Sequence, residues 1–335
     1  SDPANPTHVG ALADDGTTAL DGALGIDVVG DYAYVASVTD KGLEIIDISD
    51  PANPTHVGSI IDDGTTLLDG ATDVRVVGDY AYVVSLTDNG FEVIDVSTPS
   101  SPTSVGRIAD TVTTELEGAY ALDVVGDYAY VAALYDDGLE IINISNPTNP
   151  THVGAITDDG TTELDGAAGV EVIGDYAYVA GGADDGVEIL DISDPTNPTH
   201  VAAITDNATT ALDDIRGISV LGNYVYAVAY TDDGIEVLSI DRPGDAPYVT
   251  PDSGQAYTTT IDTFTEVLGG NSASDTANHP ATATGTVNFA AGQVNQSADF
   301  GGDVDYLVIP DHDDLSFTNG SSDTPFSISL WMRFD

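Results

Sequence analysis

One feature limits the possible folds more than any other: a repeat of constant length. The tripeptide Gly-Asp-Tyr begins at Gly30, Gly78, Gly126 and Gly174, and Gly-Asn-Tyr begins at Gly222, each start 48 residues after the last. A proline-rich segment keeps the same step, as Asp2-Pro-Ala-Asn-Pro-Thr-His-Val and then in versions beginning at Asp50, Thr98, Asn146 and Asp194. A fixed period in this range means one supersecondary unit copied several times, with neighbours stacking to share a core.

Each unit predicts four strands and no helix, an all-β fold. In the first, Gly25-Ile-Asp-Val-Val29 is a short strand, Gly30-Asp31 a two-residue hairpin turn and Tyr32-Ala-Tyr-Val-Ala-Ser37 a second strand. Leu43-Glu-Ile-Ile-Asp-Ile48 is the third. A proline-punctuated loop that cannot sit inside a ladder separates it from the fourth, Thr55-His-Val-Gly-Ser-Ile60. The second strand alternates Tyr with Ala or Val, giving one bulky and one small face, and sheets of this kind stack radially as propeller blades. The first three strands occur five times, and so does the fourth, at Thr7, Thr55, Thr103, Thr151 and Thr199. Because the copy at Thr7 precedes its own unit, it is free to complete the last sheet. The expectation is a five-bladed β-propeller over residues 1–241, closed by the N-terminal strand. The competing arrangement is an open solenoid, or an arc of a larger ring cut from a longer chain.

Units such as Leu43-Glu-Ile-Ile-Asp-Ile-Ser-Asp-Pro and Phe91-Glu-Val-Ile-Asp-Val-Ser, following Gly-Asp-Tyr-Ala-Tyr-Val, resemble the LVIVD repeats of secreted and surface-attached bacterial and archaeal β-propellers. The resemblance covers about 240 residues. It implies a fold and an extracellular setting but no activity, since the family has no shared active site.

After Arg242-Pro243 the pattern stops. Residues 242–283 form a Thr, Ser and Asp-rich linker or arm, and residues 284–335 carry Thr286-Val-Asn-Phe, Asp305-Tyr-Leu-Val-Ile-Pro310 and Phe326-Ser-Ile-Ser-Leu-Trp-Met-Arg-Phe334. This last stretch resembles the opening of a laminin-G-like, concanavalin-type jelly roll, a partial β-sandwich of too few strands. Either the sandwich is cut short, or it is completed in trans, with Phe326, Ile328, Leu330, Trp331 and Phe334 joining the next copy in a head-to-tail contact that forms fibres.

Composition then bounds the function. Asp and Glu number 57 against 6 Lys and Arg, a formal charge of −51, and Cys is absent. Nucleic-acid binding and adsorption to anionic lipid need clustered cations, and disulfides, zinc-thiolate sites and Cys nucleophiles need thiols. The apolar runs are too short to insert in a membrane. A surface this acidic repels itself unless salt screens it or divalent ions sit among its carboxylates, which implies an extracellular or cell-surface location in a saline or calcium-containing medium.

Carboxylates are the strongest candidate ligands. Two loop sets fall on one face of the ring. Asp14, Asp15, Asp62, Asp63, Asp158 and Asp159 belong to one, and Asp136, Asp137, Asp184, Asp185, Asp232 and Asp233 to the other. Oxygen-rich turns with Gly suit calcium, the one cofactor the sequence suggests, although Asp and Gly also satisfy turn backbones on their own. Around the bore stand Asp27, Arg75, Asp123, Glu171 and Ser219, a set able to pair its own charges. His8, His56, His152 and His200, with Ser104 in the remaining copy, lie one per blade on the outer rim, so they cannot converge on one ion. Glu44, Glu92, Glu140, Glu188 and Glu236 recur once per blade, which signifies scaffold. Glycosylation acceptors stand at Asn143, Asn207, Asn295 and Asn319. No phosphate loop, nucleophile elbow or glycosidase carboxylate pattern is present. The expected function is a non-enzymatic structural or adhesive protein that binds copies of itself, the alternative being a carbohydrate-binding surface protein whose partner is glycan.

Overall fold

The computed structural model describes residues 6–207 and 209–240, together with the backbone of four short strands further on. The first unit forms β1 (Ala23–Val29), β2 (Tyr32–Ser37), β3 (Gly42–Asp47) and β4 (Thr55–Ile61), hydrogen-bonded in that order as one antiparallel sheet. The second forms β5 (Ala71–Val77), β6 (Tyr80–Ser85), β7 (Gly90–Asp95) and β8 (Thr103–Ala109). The third forms β9 (Ala119–Val125), β10 (Tyr128–Ala133), β11 (Gly138–Asn143) and β12 (Thr151–Thr157). The fourth forms β13 (Ala167–Ile173), β14 (Tyr176–Gly181), β15 (Gly186–Asp191) and β16 (Thr199–Thr205). The fifth has three strands, β17 (Ile215–Leu221), β18 (Tyr224–Ala229) and β19 (Gly234–Ser239). Apart from the fourth-strand copy at Thr7, the predicted strands of the repeat are thus found within one or two residues of their expected ends. The first hairpin turns at Gly30, whose φ of 61° suits the opening position of a II′ turn and recurs at Gly78, Gly126, Gly174 and Gly222.

Consecutive sheets share cores. Tyr34, Ala36, Leu43 and Ile45 of the first sheet pack on Leu68, Ala71, Val74, Val76, Ala81 and Val83 of the second, and the same slots meet at each later junction. This is the Tyr-and-small face of one sheet against the next, a propeller-like stack. At the rim the approach is tight. A Cβ on Gly106 would lie 2.1 Å from the Pro147 carbonyl oxygen, so only glycine lets β8 reach the neighbouring loop.

Backbone donors at the inner strands are satisfied across sheets by carboxylates. The Val76 N–H donates to Asp27 Oδ2 (2.7 Å), Val172 N–H to Asp123 Oδ2 (2.8 Å) and Val220 N–H to Glu171 Oε2 (2.9 Å). The bore residues therefore do not chiefly pair with one another, as their mixed charges suggested. The second unit departs from the pattern and compensates for it. Arg75 occupies the carboxylate slot, Asp73 two residues earlier accepts the Leu122 N–H (3.1 Å), and Arg75 Nη1 lies 3.0 Å from Asp73 Oδ1.

Among the described residues the expected closing strand is not formed: residues 6–15 adopt no strand, and β19 pairs with β18 in a sheet of three strands. The physical reason lies in the junctions. The same packing and carboxylate bonds set each step from sheet to sheet, and four such steps leave the first and last sheets uncovered. Ile26 and Val28 of β1 are 59% and 53% exposed, while their counterparts Val74 and Val76 in β5 are buried. The N-terminal segment instead lies against the first sheet. Leu12 packs with Ala33, Val35 and Ile46, and Gly10 abuts the loop at Pro51 and Ala52.

The chain divides into two compact units, Ser1–Pro243 and Gly244–Asp335. In the second, β20 (Thr282–Thr284) pairs with β23 (Tyr306–Val308), and β21 (Asn288–Ala290) with β22 (Ser297–Asp299), both antiparallel.

If the inner-strand carboxylate joins the sheets, moving it should be neutral and deleting it should not. Asp73→Ala should cost about 1–3 kcal/mol by leaving the Leu122 N–H without its acceptor. Adding Arg75→Asp recreates the Ala121 and Asp123 arrangement and gives the Val124 N–H the cross-sheet acceptor that Val76, Val172 and Val220 have, so it should recover most of that loss in denaturant titrations. Equal stability of the single and double variants would refute the assignment.

Candidate functional site: the rim carboxylates and the acidic loop face

Each sheet carries one glutamate at the third position of its third strand, pointing into the rim. Glu44, Glu92, Glu140 and Glu188 are fully buried. A carboxylate placed there must find donors, and it finds two. Its Oε2 accepts a backbone N–H from the loop entering the sheet, from Ala19 (2.9 Å), Leu67 (2.9 Å), Glu115 (3.1 Å) and Glu163 (3.0 Å) in turn. Its Oε1 meets the fourth strand at His56, Ser104, His152 and His200, at 2.5 Å for both Glu140–His152 and Glu188–His200. The rim histidines are therefore partners of buried glutamates rather than loose surface polarity. The sequence held the signal, since each His follows its Glu by twelve residues in three separate units.

Glu236 is the fifth of the series. Its Oε2 accepts the Ala211 N–H (3.1 Å), but among the described residues no fourth strand flanks it, and it is only half-buried. His8, the first of the histidine series, is exposed in the N-terminal segment.

The candidate calcium ligands have other employment. Asp14 Oδ1 accepts from Gly16 N–H (3.2 Å) and Thr18 Oγ1 (3.0 Å), while Asp15 Oδ1 accepts from Thr17 N–H (2.9 Å) and its hydroxyl (2.6 Å). Asp62 and Asp63, and Asp158 and Asp159, repeat this stapled double turn. The Thr hydroxyl and N–H hold Asp15, Asp63 and Asp159 below the ordinary carboxylate range. The second loop set binds the first. Asp136, Asp184 and Asp232 accept the N–H groups of Glu117 (2.6 Å), Asp165 (2.9 Å) and Asp213 (3.1 Å). Asp137 and Asp185 reach the next sheet, accepting from Gly166 (3.0 Å) and Asp214 (2.8 Å), and in the first unit Lys41 makes that link to Asp69 (2.6 Å). Asp233 is exposed at the open end. Among the described residues no three His, Asp or Glu side chains gather into a metal-binding group.

On this loop face a half-open cavity of about 410 Å³ is lined by Tyr120, Leu134, Asp165, Ala168, Asp214 and Arg216. Tyr120, Ala168 and Arg216 occupy one slot of the repeat, filled by Leu24 and Thr72 in the first two units, so the cleft is built where the copies differ. Arg216 is held by Asp214 through Nε (3.0 Å) and Nη2 (2.8 Å), and its guanidinium lies 4.6 Å from the Tyr230 ring centroid.

The sequon residues Asn143 and Asn207 accept hydrogen bonds from their own Ser145 and Thr209 hydroxyls, at 2.6 and 2.7 Å. Asn295 and Asn319 lie outside the described residues, as do Phe326, Ile328, Leu330, Trp331 and Phe334.

Comparison with known proteins agrees with this architecture. The LVIVD repeat matches residues 22–62, 70–110, 118–158 and 166–206, so the first four sheets are LVIVD repeats. No curated protein matches the chain. Among solved structures, a functionally unknown protein from Desulfotomaculum acetoxidans is similar at 15% identity and a TM-score of 0.54, over 70% of each chain. A candidate 6-phosphogluconolactonase from Bacteroides uniformis is similar at 13% identity and a TM-score of 0.55, over 67% of this chain and 68% of its own. The periplasmic gluconolactonase of Pseudomonas aeruginosa is similar at 13% identity and a TM-score of 0.53, over 63% and 64%. At these identities the likeness is one of fold.

The rim pairs make stability depend on pH. Burial raises the carboxyls of Glu92, Glu140 and Glu188, that of Glu140 to about 7. Between pH 4.5 and about 7 the folded chain keeps a proton at Glu140 that the unfolded chain has released, so stability falls as pH rises through that window. The denaturant midpoint should decline from pH 5 to pH 8, and Glu140→Gln, whose amide can still accept from Glu115 and donate to His152, should flatten the decline. An unchanged slope in the variant would sink this account.

Proposed function

We propose that this chain is a non-enzymatic structural or adhesive protein of an extracellular, saline or calcium-containing setting. In this reading it is a rigid acidic module that associates head-to-tail with copies of itself, and the propeller ring is not finished within one copy. The observation that carries the reading is the fate of the recurring polar side chains. The rim glutamates, the paired loop aspartates and the bore carboxylates accept backbone N–H groups or neighbouring hydroxyls of the scaffold itself. Carboxylates committed in this way hold sheets together and are poorly placed to act as acids, bases or nucleophiles on a substrate. The gluconolactonase names among the similar structures come with a shared fold at 13% identity and do not extend to these residues.

The segment resembling a laminin-G-like jelly roll, with Phe326, Ile328, Leu330, Trp331 and Phe334, serves in this reading as one connector between copies. With so much negative charge, association needs salt, because the screening length falls from about 10 Å at 0.1 M to about 3 Å at 1 M. The cleft at Tyr120 favours a second reading, glycan binding, since an aromatic ring beside carboxylates and an arginine suits a sugar's apolar face and hydroxyls.

Electron microscopy of the full chain at high salt, with calcium and with chelator, should show extended assemblies. Uniform single particles in every condition would end the polymer reading. On a glycan array, any sugar signal should be lost in Tyr120→Ala, and silence from the unaltered chain would remove the second reading.

A further inference from the structure

The two ends of the stack are complementary, and each lacks what the other holds. The fifth sheet presents Tyr226, Val228, Ile235 and Val237, in the slots that Tyr34, Ala36, Leu43 and Ile45 fill in the first sheet, where the latter three are wholly buried. Here Ile235 is 61% exposed. The first sheet presents Ile26 and Val28, in the slots of the buried Val74 and Val76. Each end is thus one half of an interface that the chain already builds four times with the same residue types.

The N-terminal segment sharpens the match. Gly10 lies against Pro51 and Ala52 as Gly58, Gly106 and Gly154 lie against Pro99, Pro147 and Pro195, and Leu12 packs on the first sheet as Ile60 packs on the second. Residues 7–13 therefore sit on the first sheet in the place of a preceding sheet's outer strand, with no sheet behind them. At the other end, among the described residues, β19 is a third strand with no fourth. Carrying the β3–β4 register forward pairs Ser239 with Thr7, Leu238 with His8, Val237 with Gly10 and Ile235 with Leu12. It also brings His8 to Glu236, which already has its loop bond from Ala211 and needs only the rim partner found in the other sheets. At the loop face the same step sets Asp233 opposite the Gly22 N–H, as Asp137 is set opposite Gly166.

We infer that the fifth sheet of one copy is completed by residues 7–13 of a second copy, with the first sheet of that copy stacked on β17–β19 and His8 bound to Glu236. A second copy covers the exposed side chains of both ends while leaving the four existing junctions as they are. The contact is heterologous, so it propagates into a ring or a helical filament according to the rotation per copy. This inference rests on the head-to-tail reading above and gives it a junction distinct from the C-terminal connector.

The chain has no cysteine, so a directed cross-link is clean. Full-length Thr7→Cys mixed with full-length Ser239→Cys under mild oxidation at high salt should give covalent dimers containing one chain of each. Ile235→Asp, on a surface the folded chain already exposes, should weaken association roughly tenfold or more, with an unchanged thermal midpoint for the dilute chain. Two results would overturn the inference: an internal cross-link in dilute Thr7→Cys/Ser239→Cys, or association that survives Ile235→Asp but is abolished by Trp331→Asp/Phe334→Asp. The latter would leave self-association standing through the C-terminal connector. A third result, absence of association in every variant and in the unaltered chain, would remove the inference and the head-to-tail reading together.

Discussion

A carboxylate sealed inside a sheet edge must be given donors, and meeting that need organises the first four units of this protein. The glutamate of the third strand draws the incoming loop to one oxygen and the outer strand to the other. Three segments that are distant in sequence are thereby fixed at a single point. Such a group is costly to bury alone but strong when both oxygens accept in a low-dielectric setting. The His–Glu bonds differ from exposed ion pairs in this respect, since the carboxylate is buried whichever partner holds the proton.

A second layer of carboxylates works between units rather than within them. Asp27, Asp123 and Glu171 each take an N–H from the following sheet, and Asp137 and Asp185 do the same at the loop face. Apolar packing alone would let neighbouring sheets slide along their shared core. Directional bonds at the inner and loop ends of the interface fix their offset. Asp73 and Arg75 show that the requirement is positional: the acceptor shifts by two residues, onto the same face of the strand, and the cation in its former slot pairs with it.

Much of this is legible in the sequence. The repeat length, four strands per unit and the Gly-Asp hairpin follow from period-two alternation and turn chemistry, and they appear where expected. The rim pairing was half visible: Glu44 and His56 each recur on the same step, but recurrence does not say that two side chains meet. That takes the β3–β4 register, including the irregularity between Ile45 and Ile46 that sets His56 beside Glu44. The partners of the bore residues are hidden from the sequence for a related reason. A side chain's charge suggests charged partners, while the nearest unmet need there was a backbone N–H on the next sheet. Ring closure is what a count of strands suggests. A count establishes that a strand is missing at one end and spare at the other, but the turn per junction, which decides whether the ends meet, comes from side-chain packing between sheets.

The balance between charge and burial then separates the ends of the stack from its faces. On the loop face carboxylates stand close enough that Asp136 and Asp165 are raised by burial and by their acidic neighbours, so another copy approaching there would meet like charge. The two open ends differ. Ile26 and Val28 on one and Val228, Ile235 and Val237 on the other expose apolar surface in an order dictated by the repeat. Long-range repulsion opposes encounter in every orientation and is removed by salt, while the short-range gain from burying apolar side chains is available only end to end. High ionic strength therefore does more than permit contact between such chains: it leaves the apolar ends as the attractive part of an otherwise acidic surface, and so sets the direction in which copies join.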